Sequence, residues 1–434
     1  SLGSLEWMDL SESENLTEIP DLSKATKLDS LKLKNCKSLV TLPSTIGNLH
    51  RLVRFEMNEC TGLEVLPTDV NLSSLMILDL SGCSSLRTFP LISTNIVWLY
   101  LENTAIEEIP STIGNLQNLR RLYMIRCTGL KVLPTDVNLS SLDILDLSGC
   151  SSLRTFPLIS KSIKWLYLQN TAIEEVPCCI ENFLRLSVLL MYCCQRLINI
   201  SPNIFRLTRL MVADFTDCRG VIKALSDATV VATMEDHVSC VPLSENIEYT
   251  CERFWDESYH EDDFDTDWGI DREYFSFHNC FKLDSDAREL ILQSCFKPVA
   301  LPGGEIPKYF TYRASGDSLT VTLPQSSLSQ EFLRFKACVV VEPLSKGKGF
   351  YSYLEVNVGG KYEESFFEDA ELQFCKTDHL FFCSFKFESE MTFNDVEFKF
   401  CCSNRIKECG VRLLYVYQET EYNQQTTRSK KRMR

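Results

Sequence analysis

No apolar run in this chain is longer than a strand, so nothing in it has the length of a membrane-spanning helix. Histidine is scarce, with five residues (His50, His237, His260, His278 and His379) in unrelated contexts, and no Cys-x-x-Cys pair occurs. Zinc ligation and histidine-based catalysis therefore have little to build on. The P-loop pattern G-x-x-x-x-G-K-[ST] is missing as well, which excludes that mode of nucleotide binding from this chain. Positive charge is in deficit, 44 Lys and Arg against 59 Asp and Glu, and the net charge of −15 argues against nucleic acid as the main ligand. A sugar-cleaving site needs two carboxylates at a fixed separation on a rigid scaffold, which an acidic loop does not show. With 434 residues, 44% of them hydrophobic, there is ample material for two or three packed units.

What the sequence has in abundance is repetition. Segments of the form Leu-x-x-Leu-x-Leu-x-x-Cys open at Leu5, Leu28, Leu52, Leu75, Ile96, Leu119, Leu142, Ile163, Leu186 and Leu210. This is a leucine-rich repeat pattern, one short strand and a compact return per unit. A single unit cannot bury its own apolar edge, so the units must stack into a curved α/β solenoid, a horseshoe. A longer period lies over the short one. The segment 61–93 recurs at 128–160 with only Glu64/Lys131 and Met76/Asp143 changed, and IVWLYL at 96–101 returns as IKWLYL at 163–168. The array therefore grew by copying a block of three repeats.

Within each strand, side chains two and four places after the opening residue are expected on the concave face. Ten strands would make a concave sheet roughly 45 Å along its arc. Among the residues falling there are Trp98, Tyr100, Arg121, Tyr123, Trp165 and Tyr167. Trp, Tyr and Arg carry most of the binding energy at protein interfaces, and exposed aromatic patches mark contact surfaces. These six are the candidate partner-binding residues. No candidate catalytic, cofactor-binding or metal-ligating residue emerges.

Twenty cysteines would suit a secreted disulfide framework. Yet Cys36, Cys60, Cys83, Cys127, Cys150, Cys194 and Cys218 occupy one recurring position, and Thr104 and Thr171 replace cysteine there. A hydroxyl can serve where a small inward side chain hydrogen-bonds a neighbouring loop, but it cannot complete a disulfide or a thiolate site. The expectation is a ladder of free thiols in a reducing compartment. Four Asn-x-Ser/Thr sequons (Asn15, Asn71, Asn138 and Asn199) are near chance for this composition.

The repeats, placed at 1–225, give way to a linker or insertion at 226–275. Its stretch 252–273 holds ten acidic and two basic residues and departs from a calcium loop at Gly269 and Tyr274. Next come a short helix, capped at Asp284 or Ser285, and alternating runs at 318–323, 335–342, 353–358, 379–387, 396–402 and 411–417. Gly359-Gly360 suits a hairpin turn. The region 276–418 is thus expected to be a β-sandwich of jelly-roll or Ig-like type, followed by a basic tail at 419–434.

The L-x-x-LP and I-x-x-IP endings of the repeats, the segment FHNCFKL at 277–283 and VALPGGEIPKYFTYRASGDSLTVTLP at 299–324 give the chain a family resemblance. It resembles the C-terminal half of plant intracellular immune receptors of the TIR, nucleotide-binding and leucine-rich-repeat class, above all the crucifer cluster that confers downy mildew resistance. The resemblance implies recognition of a pathogen effector protein by the repeats and sandwich. It also implies contact with an upstream nucleotide-binding domain, relief of autoinhibition and oligomerisation on activation. ADP binding and NAD cleavage would belong to domains outside this chain, which needs no cofactor. The location implied is cytoplasmic and in part nuclear. Leu301, Pro302, Gly303, Gly304, Ile306 and Pro307 match the family's LPG-x-IP motif and are read as a turn entering the sandwich. Two other readings compete: an extracellular leucine-rich-repeat ectodomain, disfavoured by the absence of the N-x-L-x-G-x-IP form, and a sugar-binding or hydrolytic sandwich on a repeat scaffold.

Overall fold

A computed structural model describes residues 2–221, 223–224, 273–295, 297–323, 332–343, 353–360, 362–368, 375–388, 395–402 and 404–414. They fall into two compact units, divided between Cys295 and Phe296. The acidic stretch 252–272 and the basic tail lie outside the described residues.

The first unit is a β-solenoid. Each repeat places a three-residue strand two to four positions after its opening residue, from Trp7–Asp9 and Ser30–Lys32 through to Val212–Asp214. All pair in parallel and in register, so Trp98, Arg121, Ile144 and Trp165 form one row across the sheet and Tyr100, Tyr123, Asp146 and Tyr167 another. From the second strand on, the middle residue of each three, such as Leu78, Leu99, Leu122 and Leu145, is fully buried. The residues on either side are largely half-exposed, as the period-2 alternation of a strand requires.

Three positions past each strand the backbone turns through a left-handed conformation, at Glu12, Asn35, Glu59, Gly82, Asn103, Arg126, Gly149, Asn170, Cys193 and Asp217. The turn aims that residue's N–H at a carbonyl of the next repeat, for example Asn35 to Asn58 at 2.9 Å and Arg126 to Ser148 at 2.7 Å. One place further on stands the cysteine ladder. Its thiols donate to a carbonyl of the preceding repeat: Cys60 to Leu33 (3.0 Å), Cys150 to Met124 (3.1 Å) and Cys218 to Met191 (3.0 Å). The partner is thus the strand end behind each rung rather than the loop ahead. Thr104 and Thr171 bond the carbonyls of Leu101 and Leu168 and sit 3.2 Å from Cys127 and Cys194, so a hydroxyl fits the ladder as the sequence suggests. All eighteen cysteines among the described residues are free.

The return segments carry short 3-10 helices at Ser44–Asn48, Ser111–Asn115, Cys178–Asn182 and Pro202–Arg206 rather than α-helices. A repeat this short leaves no room for an α-helix between strands. The L-x-x-LP ending has its use here, since Pro43, Pro110 and Pro177 hold an extended turn ahead of the helix and Ile46, Ile113 and Ile180 plug its inner side.

One boundary differs from the sequence reading. Tyr274–Ser276 pairs in parallel with Val212–Asp214, and Asn279 and Cys280 repeat the left-handed residue and the ladder thiol, Cys280 donating to Phe215 at 3.2 Å. The FHNCFKL segment is therefore an eleventh repeat, not the opening of the sandwich at 276. It escaped the pattern because the position that opens a repeat is held by Arg272 and because the acidic insertion separates it from the tenth. The helix Ser285–Ser294, whose Asp284 side chain accepts from Ala287 N–H at 2.7 Å, also belongs to this unit.

The second unit holds two antiparallel sheets. In one, the strands run in the order Val299–Pro302, His379–Glu388, Phe332–Val341, Ile406–Leu414 and Tyr312–Ser315. In the other the order is Ser318–Thr322, Asp395–Cys402, Tyr353–Val358 and Tyr362–Glu368. Alternation buries Val396, Phe398 and Phe400, and the Phe398 ring meets Phe335 of the first sheet at 5.1 Å, so the two layers share a core. Gly359 and Gly360 take the positive φ angles of a tight hairpin. Within LPGGEIP, Leu301 and Pro302 end a strand and the turn follows them. Ile306 then packs against Gly410, where an added Cβ would come within 2.6 Å of it.

Candidate recognition surface

The six candidate residues occupy three strands, Trp98–Tyr100, Arg121–Tyr123 and Trp165–Tyr167, all half-exposed on the concave side. The structure divides them into two groups. Trp98, Arg121 and Trp165 stand at the strand starts and line an open groove of about 1200 Å³ that crosses six repeats, from Val53 to Trp165. The Arg121 guanidinium lies over the Trp98 ring at 5.0 Å, and the Lys164 ammonium over Trp165 at 5.7 Å. Ile144 intervenes between Arg121 and Trp165, so the two indoles stand three strand spacings apart, roughly 14 Å.

Tyr100, Tyr123 and Tyr167 stand at the strand ends. The first two stack with centroids 5.1 Å apart and planes at 5°, while Tyr167 is set off by Asp146. Aspartate and tyrosine play different parts in this row. In four of the other strands Asp9, Asp79, Asp146 and Asp214 hold the position, each accepting the N–H two residues on (Ser11, Ser81, Ser148 and Thr216, 2.8–2.9 Å) and so capping the strand, while Lys32, Glu56 and Leu190 stand there in the remaining three. Tyrosine gives up that cap and puts an aromatic face in its place.

Carboxylates crowd the strand ends. Burial and the neighbouring charges of Asp146 and Asp79 push Glu102 up to about 7. Burial pushes Asp146 up to about 6 against the pull of Ser148, whose N–H and hydroxyl both donate to it. Among the described residues no group of side chains is arranged to hold a metal ion, and no helix is long and apolar enough to cross a membrane.

Sequence reasoning missed the groove residues one place after each opening residue: Met76, Val97, Arg120, Asp143 and Lys164. A strict two-fold alternation assigns that place to the far side, but each of these residues lies just before its strand begins, at Ile77, Trp98, Arg121, Ile144 and Trp165, where the alternation does not yet hold. A clue was present, since Met76/Asp143 is one of the two differences between the duplicated segments.

Taken together, the repeats define a leucine-rich-repeat solenoid with an aromatic concave face, and the second unit is a β-sandwich. The C-JID domain model matches residues 301–420, nearly the whole of that sandwich. The chain is 81% identical over its full length to Disease resistance protein RPP5 of Arabidopsis thaliana, 78% identical over 99% of its length to Protein SUPPRESSOR OF npr1-1, CONSTITUTIVE 1, and 36% identical over 95% to Disease resistance protein RPS6, both of the same plant. It spans 32%, 30% and 40% of those proteins. The leucine-rich repeat domain of the type III effector XCV3220 (XopL) aligns with 48% of this chain and 73% of its own, at 21% identity and a TM-score of 0.32. The chain belongs to the TIR, nucleotide-binding, leucine-rich-repeat family of plant disease resistance proteins, of which it carries the repeats and the C-JID domain.

Proposed function

We propose that this chain is the ligand-sensing part of an intracellular immune receptor, and that its concave face, together with the C-JID sandwich, takes a pathogen effector protein. Binding relieves an autoinhibitory contact with an upstream nucleotide-binding domain and permits oligomerisation. The single observation that carries the reading is the groove framed by Trp98, Arg121 and Trp165, a set of large anchors held in place by register and by cation–π contacts. The free cysteine ladder supports a reducing location. No part of the described chain is assigned an enzymatic role. The test is the double substitution Trp98→Ala, Trp165→Ala in the full-length receptor, scored by cell death against pathogen isolates that trigger the parent. Loss of response with unchanged protein level and unchanged autoactivity of a gain-of-function background is expected, and a retained response would move the site elsewhere.

A further inference from the structure

The groove and the crowded carboxylates sit at opposite ends of the same strands and differ in sign. At the strand starts Arg120, Arg121 and Lys164 line the groove. The sole carboxylate lining it, Asp143, is already shared between Lys164 at 3.9 Å and Arg185 at 3.5 Å. At the strand ends stand Asp79, Glu102 and Asp146, near enough that the outer two act on the middle one. In a chain with a net charge of −15, a cationic groove runs against the average, so it is a local arrangement of the repeats.

The cations are also held in a particular way. Arg121 lies against the Trp98 ring and Lys164 against Trp165, with Lys164 also 3.9 Å from Asp143, so each cation stands in the groove beside an indole face. A ligand carboxylate offers a stronger partner than a ring quadrupole, and a ligand aromatic side chain extends the same stack. Beyond the cations the groove is lined by Val53, Met76 and Val97 together with the polar Ser73, Ser74 and Asn95, and Met76 is exposed beside Trp98, whose backbone N–H donates to the Met76 carbonyl at 3.0 Å.

We infer that this groove takes an acidic segment of a protein ligand, its carboxylates on Arg120, Arg121 and Lys164 and a neighbouring aromatic or apolar side chain against Met76 and Trp98. The carboxylate row at the strand ends repels the same segment and so fixes the edge on which it lies. The inference deepens the proposed function and rests on it.

The 434-residue chain is titrated with a labelled random Glu-Tyr copolymer, with polylysine and with a thymidine oligonucleotide, by fluorescence anisotropy at two salt concentrations. Two variants locate the site. Arg120→Glu with Arg121→Glu should weaken copolymer binding about tenfold or more. Asp143→Met, which installs the residue that the other copy of the duplicated segment carries, should tighten it about threefold by removing the groove's carboxylate. A gain of affinity cannot come from misfolding, and circular dichroism checks the reversal variant. Copolymer binding that neither variant changes, or polylysine binding that Asp143→Met strengthens, overturns the inference. Oligonucleotide binding with the same dependence on both variants overturns it in favour of a polyanion site. If Trp98→Ala, Trp165→Ala abolishes the pathogen response while copolymer binding ignores the groove variants, the recognition reading stands and the acidic preference falls. If instead the response survives while the copolymer follows both variants, the recognition reading falls and the acidic-segment site stands.

Discussion

Phe277→Ala tests whether residues 274–283 are the last rung of the solenoid. Phe277 is fully buried, and its ring stacks on that of Phe215 at 5.2 Å with 23° between planes, across the step from the tenth repeat to the eleventh. Truncating a buried phenylalanine costs about 3–5 kcal/mol, part of it the loss of an aromatic pair. In a solenoid each repeat leans only on its neighbours, so the loss should stay local instead of spreading through the array. About 4 kcal/mol is close to three decades in a local opening equilibrium. Hydrogen exchange followed by mass spectrometry should show segment 210–221 exchanging some hundred- to thousandfold faster, with 96–168 unaltered. Unchanged exchange in 210–221 would refute the stacking of the eleventh strand, and uniform acceleration would refute the nearest-neighbour account.

Three further outcomes follow from the same physics. In native protein, burial pushes the Cys60 thiol up to about 12, which leaves about one thiolate in ten thousand at pH 8, and raises Cys83, Cys150 and Cys280 as well, so these ladder thiols should ignore Ellman's reagent while exposed Cys178 reacts; titration of the whole set without denaturant would contradict the buried ladder. Glu102 rises from 4.5 unfolded to about 7 folded, so the folded state binds the extra proton between these values and stability must fall as pH rises from 4.5 to 7; Glu102→Gln should flatten that slope in denaturant titrations, and an opposite or unchanged slope would sink the assignment. Gly410→Ala would press a methyl to 2.6 Å from Ile306 and 3.3 Å from Phe310, and thermal unfolding should show the C-JID unit losing about 1–3 kcal/mol; an unaltered transition would mean that the LPGGEIP segment does not pack there.

Much of the architecture was legible in the chain because its determinants are local and repeated. An opening leucine, two strand leucines and a ladder cysteine at fixed spacing leave one way to bury an apolar edge, and the ten strands of the main parallel sheet from Trp7–Asp9 to Val212–Asp214 lie where that spacing puts them, whereas the short strands Glu175–Val176 and Asn199–Ile200 of a second sheet were not foreseen. The sandwich strands at Ser318–Thr322, Tyr353–Val358 and Asp395–Cys402 were equally plain from alternation. Val299–Pro302 and Tyr312–Ser315 were not, since each is a four-residue strand, and the first is buried on both faces and so shows no alternation.

What only the tertiary structure decided concerns neighbours that sequence distance conceals. Tyr274 meets Val212 across an insertion, so the eleventh repeat is recognised by pairing and not by pattern. The six concave residues look like one patch in the sequence, yet register sorts them into a cationic groove with Trp98, Arg121 and Trp165 and an acidic edge with Tyr100, Tyr123 and Tyr167. A repeat specifies its own strand through contacts within about twenty residues. The sign and shape of a surface are sums over stacked repeats, and those sums exist only once the stack has formed.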